Sequence, residues 1–220
     1  MLSKAQEKLI LSTHTNKGRE KTGLVLIEGE TILKEAGNHV ELFFDETDTP
    51  NFSKLVTTTT PQMKAGLARL PAWSLGDVLK KKMVVVLDHI QDPGNLGTIL
   101  RSALGFDASL ILVECVDLGN PKVIRASAGS VFHVPCVSLS RDEAETWLTE
   151  ANRSVYRLEL SQKAIDISEL PNDPLIVIAG SEGQGIQLNI KAPSVKISHQ
   201  KKLESLNVAV AVSLLLYRRS

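Results

Sequence analysis

The sequence predicts an α/β protein built on a parallel sheet with helices on both faces. Two observations carry that expectation. From Met83 onward, apolar runs alternate with stretches of helical spacing, and the runs MVVVLDHI (83–90), SLILVE (109–114) and PLIVIAG (174–180) are nearly continuous in hydrophobicity. Strands buried on both faces need that pattern, whereas a half-solvated strand would alternate. The composition, 43% hydrophobic and 23% charged over 220 residues, is that of an ordinary globular chain. Such a chain can bury a sizeable core without disulfides or a structural metal.

The N-terminal third is the less regular part. LVLI (24–27) is a short buried strand, Glu30 to Gly37 a helix ended by Gly37-Asn38, and Val40 to Phe44 a second strand. Pro50, the threonine run 57–60, Pro61 and Pro71 break up residues 50–71. This first segment reads as a small α/β unit, and 71–82 is the expected junction, so two domains are expected, 1–75 and 76–220. After the strand 83–90, Gly97 to Gly105 has helical spacing and 109–114 is a strand. PKVIRASAG (121–129) is a short helix with proline at its start and glycine at its end. VPCVSL (134–139) and SVYRLEL (154–160) are strands flanking an amphipathic helix, Arg141 to Asn152. PLIVIAG (174–180) and SVKIS (194–198) are further strands, and Leu206 to Tyr217 is the closing helix. The sequence holds no internal repeat.

Charge and cysteine usage exclude several classes. Twenty-five basic residues balance 25 acidic ones, so no global field attracts nucleic acid, although a local basic patch is not excluded. The first 22 residues carry Lys4, Lys8, Lys17, Arg19 and Lys21 against Glu7 and Glu20. That run is either a solvated face or a basic arm on an RNA-facing side. The apolar stretch Leu206 to Tyr217 is about 12 residues long, well short of the roughly 20 that span a bilayer. The opening MLSKAQEKLILSTHTNKGREK is too polar for a signal peptide. Cys115 and Cys136 lie far apart without CxxC spacing and read as buried, reduced thiols of a cytoplasmic protein. The five histidines show no HxxxH or HExxH pattern, so no metal site is expected.

Ligands of open parallel sheets sit beyond the carboxyl ends of the strands. Three segments lie there. Asp88-His-Ile-Gln-Asp-Pro-Gly-Asn-Leu-Gly-Thr-Ile-Leu-Arg101 is a strand end, a Pro-Gly turn and a helix starting near Asn95. Asn95 and Arg101 stand on different sides of an ideal helix unless Asn95 is a cap whose side chain turns back over the helix mouth. Gly180-Ser-Glu-Gly-Gln-Gly185 is a glycine-rich turn whose spacing fits neither the dinucleotide fingerprint nor a P-loop. Its glycines permit close backbone approach to a ligand, and a carboxylate between them, Glu182, has little packing role. Ser205-Leu206-Asn207 opens the last helix, where its polar residues serve either as caps or as ligand-holding groups.

Together the three segments resemble the signature motifs of the SpoU branch of the SPOUT superfamily, RNA 2′-O-ribose methyltransferases. Asp92 to Ala103, Ile178 to Ile186, and Ser205 to Ala211 followed by LLLY (214–217) resemble its first, second and third motifs, in order and in register over about residues 83–220. Arg125 to Pro135 resembles its middle region. LVLIEGETILKEAG (24–37) and residues 58–70 resemble the small substrate-binding domain of ribosomal RNA members, with Met63 where a glycine is usual. The stretch Ile197-Ser-His-Gln-Lys-Lys departs from the family's Ile-Pro-Met and glycine.

The resemblance implies a parallel α/β sheet with a C-terminal trefoil knot, which periodicity could not reveal. It implies S-adenosylmethionine (SAM) as methyl donor, with Gly180, Ile197 and Leu206 at the cofactor, and a homodimer packed through the knot and the last helix. It places Asn95, Arg101, Glu182, Ser205 and Asn207 in the catalytic centre, with a base-like role for Arg101. A guanidinium with a pKa above ~12 is an awkward base. Bidentate clamping of a phosphate, with phosphate or water taking the hydroxyl proton, is the physical alternative. A 2′-hydroxyl target means RNA rather than DNA. The N-terminal unit favours ribosomal over transfer RNA. A tRNA ribose methyltransferase is the alternative, and a non-catalytic RNA-binding relative is opposed by the presence of Arg101 and Asn207. A nicotinamide oxidoreductase would need G-x-G-x-x-G, which DPGNLG does not supply.

Overall fold

A computed structural model describes residues 1–59, 62–200 and 202–220. Thr60 and Pro61 of the expected chain breaks, and Lys201 of the departing stretch, lie outside the described residues. In chain order, α1 (Lys4–Ser12) and α2 (Asn16–Thr22) precede β1 (Val25–Glu28), α3 (Glu30–Ala36), β2 (Val40–Asp45), α4 (Phe52–Leu55) and β3 (Lys64–Ala68). Then come α5 (Leu75–Val78), β4 (Met83–Asp88), α6 (Pro93–Gly105), β5 (Ala108–Val113), α7 (Pro121–Ala126), β6 (Cys136–Leu139) and α8 (Arg141–Thr149). The chain closes with β7 (Ser154–Leu158), β8 (Ile165–Asp166), β9 (Leu175–Gly180), β10 (Ser194–Lys196) and α9 (Val208–Arg219). Two compact units form: Met1–Ala72 with Asp117–His133, and Trp73–Val116 with Val134–Ser220.

In the first unit, β3 pairs antiparallel with both β1 and β2. Ile10, Leu24, Leu26, Phe44, Phe52 and Leu67 fill its core. Gly66 is required in β3 because a Cβ there would stand 2.7 Å from the Leu42 carbonyl oxygen. The charge-rich first 22 residues fold into two helices. A capping box between Ser3 and Gln6 starts α1, and Gly23 in the left-handed region ends α2. Lys4, Lys8, Lys17 and Lys21 are not buried, but Arg19 is buried and donates to Asp117 at 2.7 Å and to the Thr13 carbonyl at 2.8 Å. Arg19 therefore belongs to the interior of this unit and not to a basic arm. Glu28 is buried as well, and Arg125 and the Thr57 backbone donate to its carboxylate.

In the second unit, seven strands of the described residues form a parallel sheet in the order β6-β5-β4-β9-β7-β10-β8. All six residues of β4 and all six of β5 are buried, as the continuous apolar runs require. One face carries Val84, Val86, Ile111, Val113, Ile176 and Ile178, packed with Ala144 and Leu148 of α8. Successive side chains alternate across a sheet, so the intervening residues face the other layer. There α6 packs on α9, α6 on β5 and α9 on β9. The strand order reverses between β4 and β9, the place where ligands of such sheets bind. Their register sets Asp88 opposite Gly180, so two of the motif loops leave the sheet side by side.

Several boundaries differ from the sequence expectation. The helix expected from Asn95 or Gly97 begins at Pro93, because the Asp92 side chain caps it by accepting from the Asn95 N–H at 2.8 Å. The closing helix begins at Val208 and not at Leu206. The helix expected over 121–129 ends at Ala126, and a 3₁₀ turn follows at Ser130–Phe132. The two-residue edge strand β8 is too short to have a sequence pattern. Ile178 lies fully buried in the central strand β9, so Ile178→Ala should destabilise the protein by about 2–5 kcal/mol. A urea denaturation midpoint lowered without a change in slope would show it.

Candidate active site

Each motif loop delivers one polar side chain to the same point. Asn95, in the first turn of α6, directs its amide toward Glu182 at 3.4 Å. Asn207 is the N-cap of α9: its carbonyl oxygen accepts from the Ala209 and Val210 N–H groups at 3.0 and 3.3 Å. That use leaves its amide nitrogen free to donate to the Asn95 oxygen at 3.0 Å and to Glu182 at 2.7 Å. Glu182 also accepts from the Val208 N–H at 3.3 Å. One carboxylate oxygen thus gathers donors from the first and third loops, next to the positive end of α9. Asn207 thus caps α9 and reaches Glu182 with the same side chain. For Asn95 the cap is Asp92, and helical placement alone aims its side chain at the site.

The glycines of the second loop have a specific cause. Ser181 and Gly185 form an antiparallel bridge, with the Gly185 N–H donating to the Ser181 oxygen at 2.8 Å. A Cβ on Gly180 would lie 2.2 Å from the carbonyl carbon and oxygen of Gly185. Gly180 therefore lets the loop cross back over its own backbone, which is a more local demand than close approach to a ligand. Gly185 sits at φ +66°, a left-handed position that glycine adopts without strain.

A cavity of about 290 Å³ opens beside this turn. Gly180, Ile197 and Leu206, the three residues that the resemblance assigns to the cofactor, all line it, as does Ser205. Leu206 can do so because it precedes α9 instead of belonging to it. Ser205 is exposed and does not cap the helix. Two carboxylates with no motif to mark them in the sequence, Glu159 and Glu204, face the same cavity. Burial opposes charge on Glu159, but hydrogen bonds from Arg157 and Ser194 outweigh it and hold its pKa below the usual carboxylate value. A second cavity, of about 560 Å³, is lined by His89, Gln91, Asn95, Glu182, Gln184 and Asn207. The Asn95–Glu182–Asn207 cluster thus stands where the two cavities adjoin, since Glu182 lines both.

Arg101 is not part of the cluster. It is exposed on α6, about 9 Å further along the helix axis than Asn95 and about 120° around it. Its guanidinium has no hydrogen bond among the described residues and faces solvent. Arg141 and Glu114, charged residues at the carboxyl rim of the sheet, pair with each other and line neither cavity. Their signal in the sequence is weak, because each is a single charge beside a strand end.

The SpoU rRNA Methylase family model matches residues 82–217. The chain is 34% identical to the 23S rRNA (guanosine(2553)-2′-O)-methyltransferase RlmP of Bacillus subtilis, over 93% of this chain and 91% of that one. Among solved structures, an AdoMet-bound rRNA methyltransferase from Sinorhizobium meliloti superposes with a TM-score of 0.88 at 24% identity, over 100% of this chain and 95% of the other, which speaks to the fold alone. An RNA methyltransferase of the TrmH family from Porphyromonas gingivalis, described as putative, superposes with a TM-score of 0.87 at 27% identity, covering 100% of this chain and 98% of the other. The loops that converge on Glu182 all fall within the matched region, and the chain belongs to the SpoU rRNA methylase family.

Proposed function

We propose that this chain transfers a methyl group from SAM to a ribose 2′-hydroxyl of RNA, and that the RNA is ribosomal. The observation that carries the reading is the convergence of Asn95, Glu182 and Asn207 beside the cavity lined by Gly180, Ile197 and Leu206. The cavity suits the cofactor: its wall is mostly apolar, with carboxylates at Glu159 and Glu204 to face cationic groups. Bound there, SAM supplies a methyl group made electrophilic by its sulfonium. The ribosomal preference is supported by the 23S rRNA activity named for the Bacillus relative and by the N-terminal unit. The tRNA alternative rests on relatives named as tRNA/rRNA methyltransferases.

The work left to the protein is positioning and proton removal. Glu182 is fixed by three donors, so the cluster is preorganised before RNA arrives. Asn95 and Asn207 hold that carboxylate and present polar edges to a ribose entering the second cavity. Ser205, exposed at the cofactor cavity, is free to bond either ligand. The solvent-facing Arg101 clamps the RNA phosphate next to the target through its planar fork. The hydroxyl proton then leaves to a phosphate oxygen or to water. A cytoplasmic location accords with the two unpaired cysteines, whose thiols burial pushes up, Cys115 to about 11. Among the described residues, no helix is long and apolar enough to cross a membrane.

The same reading includes a homodimer and a C-terminal knot. Val210, Leu214 and Tyr217 form an i, i+4, i+7 apolar stripe on α9, 47%, 40% and 68% exposed. Leu104 of α6 is exposed too, and α6 joins α9 through the 2.6 Å Ser102–Ser213 hydrogen bond. A stripe of that size on a soluble protein marks a contact surface. The knot is what the match to the SpoU rRNA Methylase family over residues 82–217 supports.

Three outcomes test this reading. Arg101→Ala should lower the single-turnover methylation rate by orders of magnitude with little change in SAM affinity, and Arg101→Lys should rescue poorly. A near-normal rate for Arg101→Ala would remove this residue from the chemistry. Gly180→Ala drives a Cβ into Gly185 and should abolish SAM binding in calorimetry while far-UV circular dichroism is retained. Sedimentation at micromolar concentration should give about twice the 24.0 kDa chain mass, and Leu214→Glu should shift it toward the monomer.

A further inference from the structure

Beneath the cofactor loop lies a charged chain that the mechanism does not use. Asp88 ends β4 with its side chain completely buried. One of its oxygens accepts from the backbone N–H groups of Gln187 and Leu188 at 2.5 and 2.7 Å. The other accepts from the Arg141 guanidinium at 3.1 Å. The same Arg141 nitrogen donates to Glu114, just past the end of β5. These three residues come from the carboxyl rims of β4, β5 and β6, since Arg141 opens the helix that follows β6.

The positions they hold are the walls of the site. The loop 181–186 is tied at one end by Glu182 to Asn95 and Asn207, and just past its other end by Asp88 at residues 187–188. Gly180, Ser181, Gly185 and Ile186, which line the cofactor cavity, sit on or beside the stretch that those two ties hold. On the substrate side, His89 and Glu114 both have left-handed backbones, at φ 60° and 50°, without being glycine. Non-glycine residues keep such conformations only where their surroundings impose them. Here the Gln91 side chain donates to the Glu114 carbonyl at 2.5 Å, the His89 N–H to the Val113 carbonyl at 2.9 Å, and Arg141 holds the Glu114 carboxylate. A carboxylate taken fully out of water needs a paired cation to stay charged. Arg141 is the only cation bonded to Asp88 among the described residues.

We infer that Arg141, which lies outside all three motifs, is a positioning residue for methyl transfer: it keeps Asp88 anchored on residues 187–188 and so sets the shape of the cofactor cavity. Arg141 acts through Asp88 and touches neither ligand. Its guanidinium is made still harder to deprotonate, chiefly by the hydrogen bond with Glu114. The inference rests on the reading of the 290 Å³ cavity as the SAM site.

The test is a cycle of Arg141→Met, Asp88→Asn and the double variant, with SAM affinity measured by calorimetry and methylation by initial rates. Arg141→Met strands a buried carboxylate, and its SAM dissociation constant should rise at least tenfold. KM for SAM should rise in parallel and by more than kcat falls. The double variant removes both charges but keeps an amide oxygen that can accept from Gln187 and Leu188, so it should recover most of the affinity. A rise in KM for SAM larger than the fall in kcat, in variants whose far-UV circular dichroism is retained, is the readout that loss of fold alone would not give. If Arg141→Met does not fold, Asp88→Asn alone decides, because its amide donors oppose the Arg141 donors and the dissociation constant should again rise. SAM affinity within twofold of the wild type in the folded variants overturns the inference. A wild-type chain that binds no SAM overturns the cofactor reading, and this inference with it.

Discussion

Parallel pairing of β4 with β9 in a register that sets Asp88 opposite Gly180 is the constraint on which the site depends. Both strands are apolar along nearly all their length, so burial on two faces fixes which residues lie inside and where the polar chain first emerges. A slip of one residue would turn every side chain of the strand to the opposite face and separate the two loops. With the register set, the turn after β9 and the helix after β4 start at the same level. The amide of Asn95 can then reach the carboxylate of Glu182, 87 residues away in the chain.

In the cluster around Glu182, the atoms that cap a helix are shared with those that join the loops. Asn207 spends its oxygen on the N-terminus of α9 and its nitrogen on Glu182 and Asn95. The carboxylate in turn accepts a backbone N–H of the same helix turn. Removing Glu182 would therefore loosen the start of α9 as well as the site, which is why measuring chemistry separately from SAM binding matters more here than measuring activity alone. Arg101 is different. It is exposed and has no partner among the described residues, so it carries no visible structural burden.

Electrostatics in this protein are local. A chain with equal numbers of acidic and basic residues has no overall field to steer a polyanion. Many of its charges are arranged in short-range pairs, several of which have one member buried. Arg19 with Asp117 and Arg125 with Glu28 belong to the first unit, and Arg141 with Asp88 to the second. Pairs with one buried member add little net stability compared with apolar packing, but removing the exposed partner strands the buried charge, which is costly. Each fixes where its carboxylate stands, and Asp88, paired with Arg141, also holds the backbone at residues 187–188.

Sequence alone determined the class of fold and which loops to look at together. Continuous apolar strands fall where the parallel sheet is found, because burial on both faces leaves no polar positions in a strand. The three motif loops were legible only in combination, through their order and spacing, because each alone has ordinary structural uses as a cap or a tight turn. Tertiary structure decided what depends on distant partners. It made Asp92 the cap of α6, freed Leu206 from α9 to line a cavity, and took Arg19 out of the basic face by pairing it with Asp117, 98 residues away. It assigned Gly180 to a crossing within its own loop, and it left Arg101 apart from Asn95 and Glu182. It also joined Asp88, Glu114 and Arg141, three charges that look unremarkable in the chain. Hydrophobic periodicity records which face a residue turns inward, but it carries no information about which polar group will meet it there.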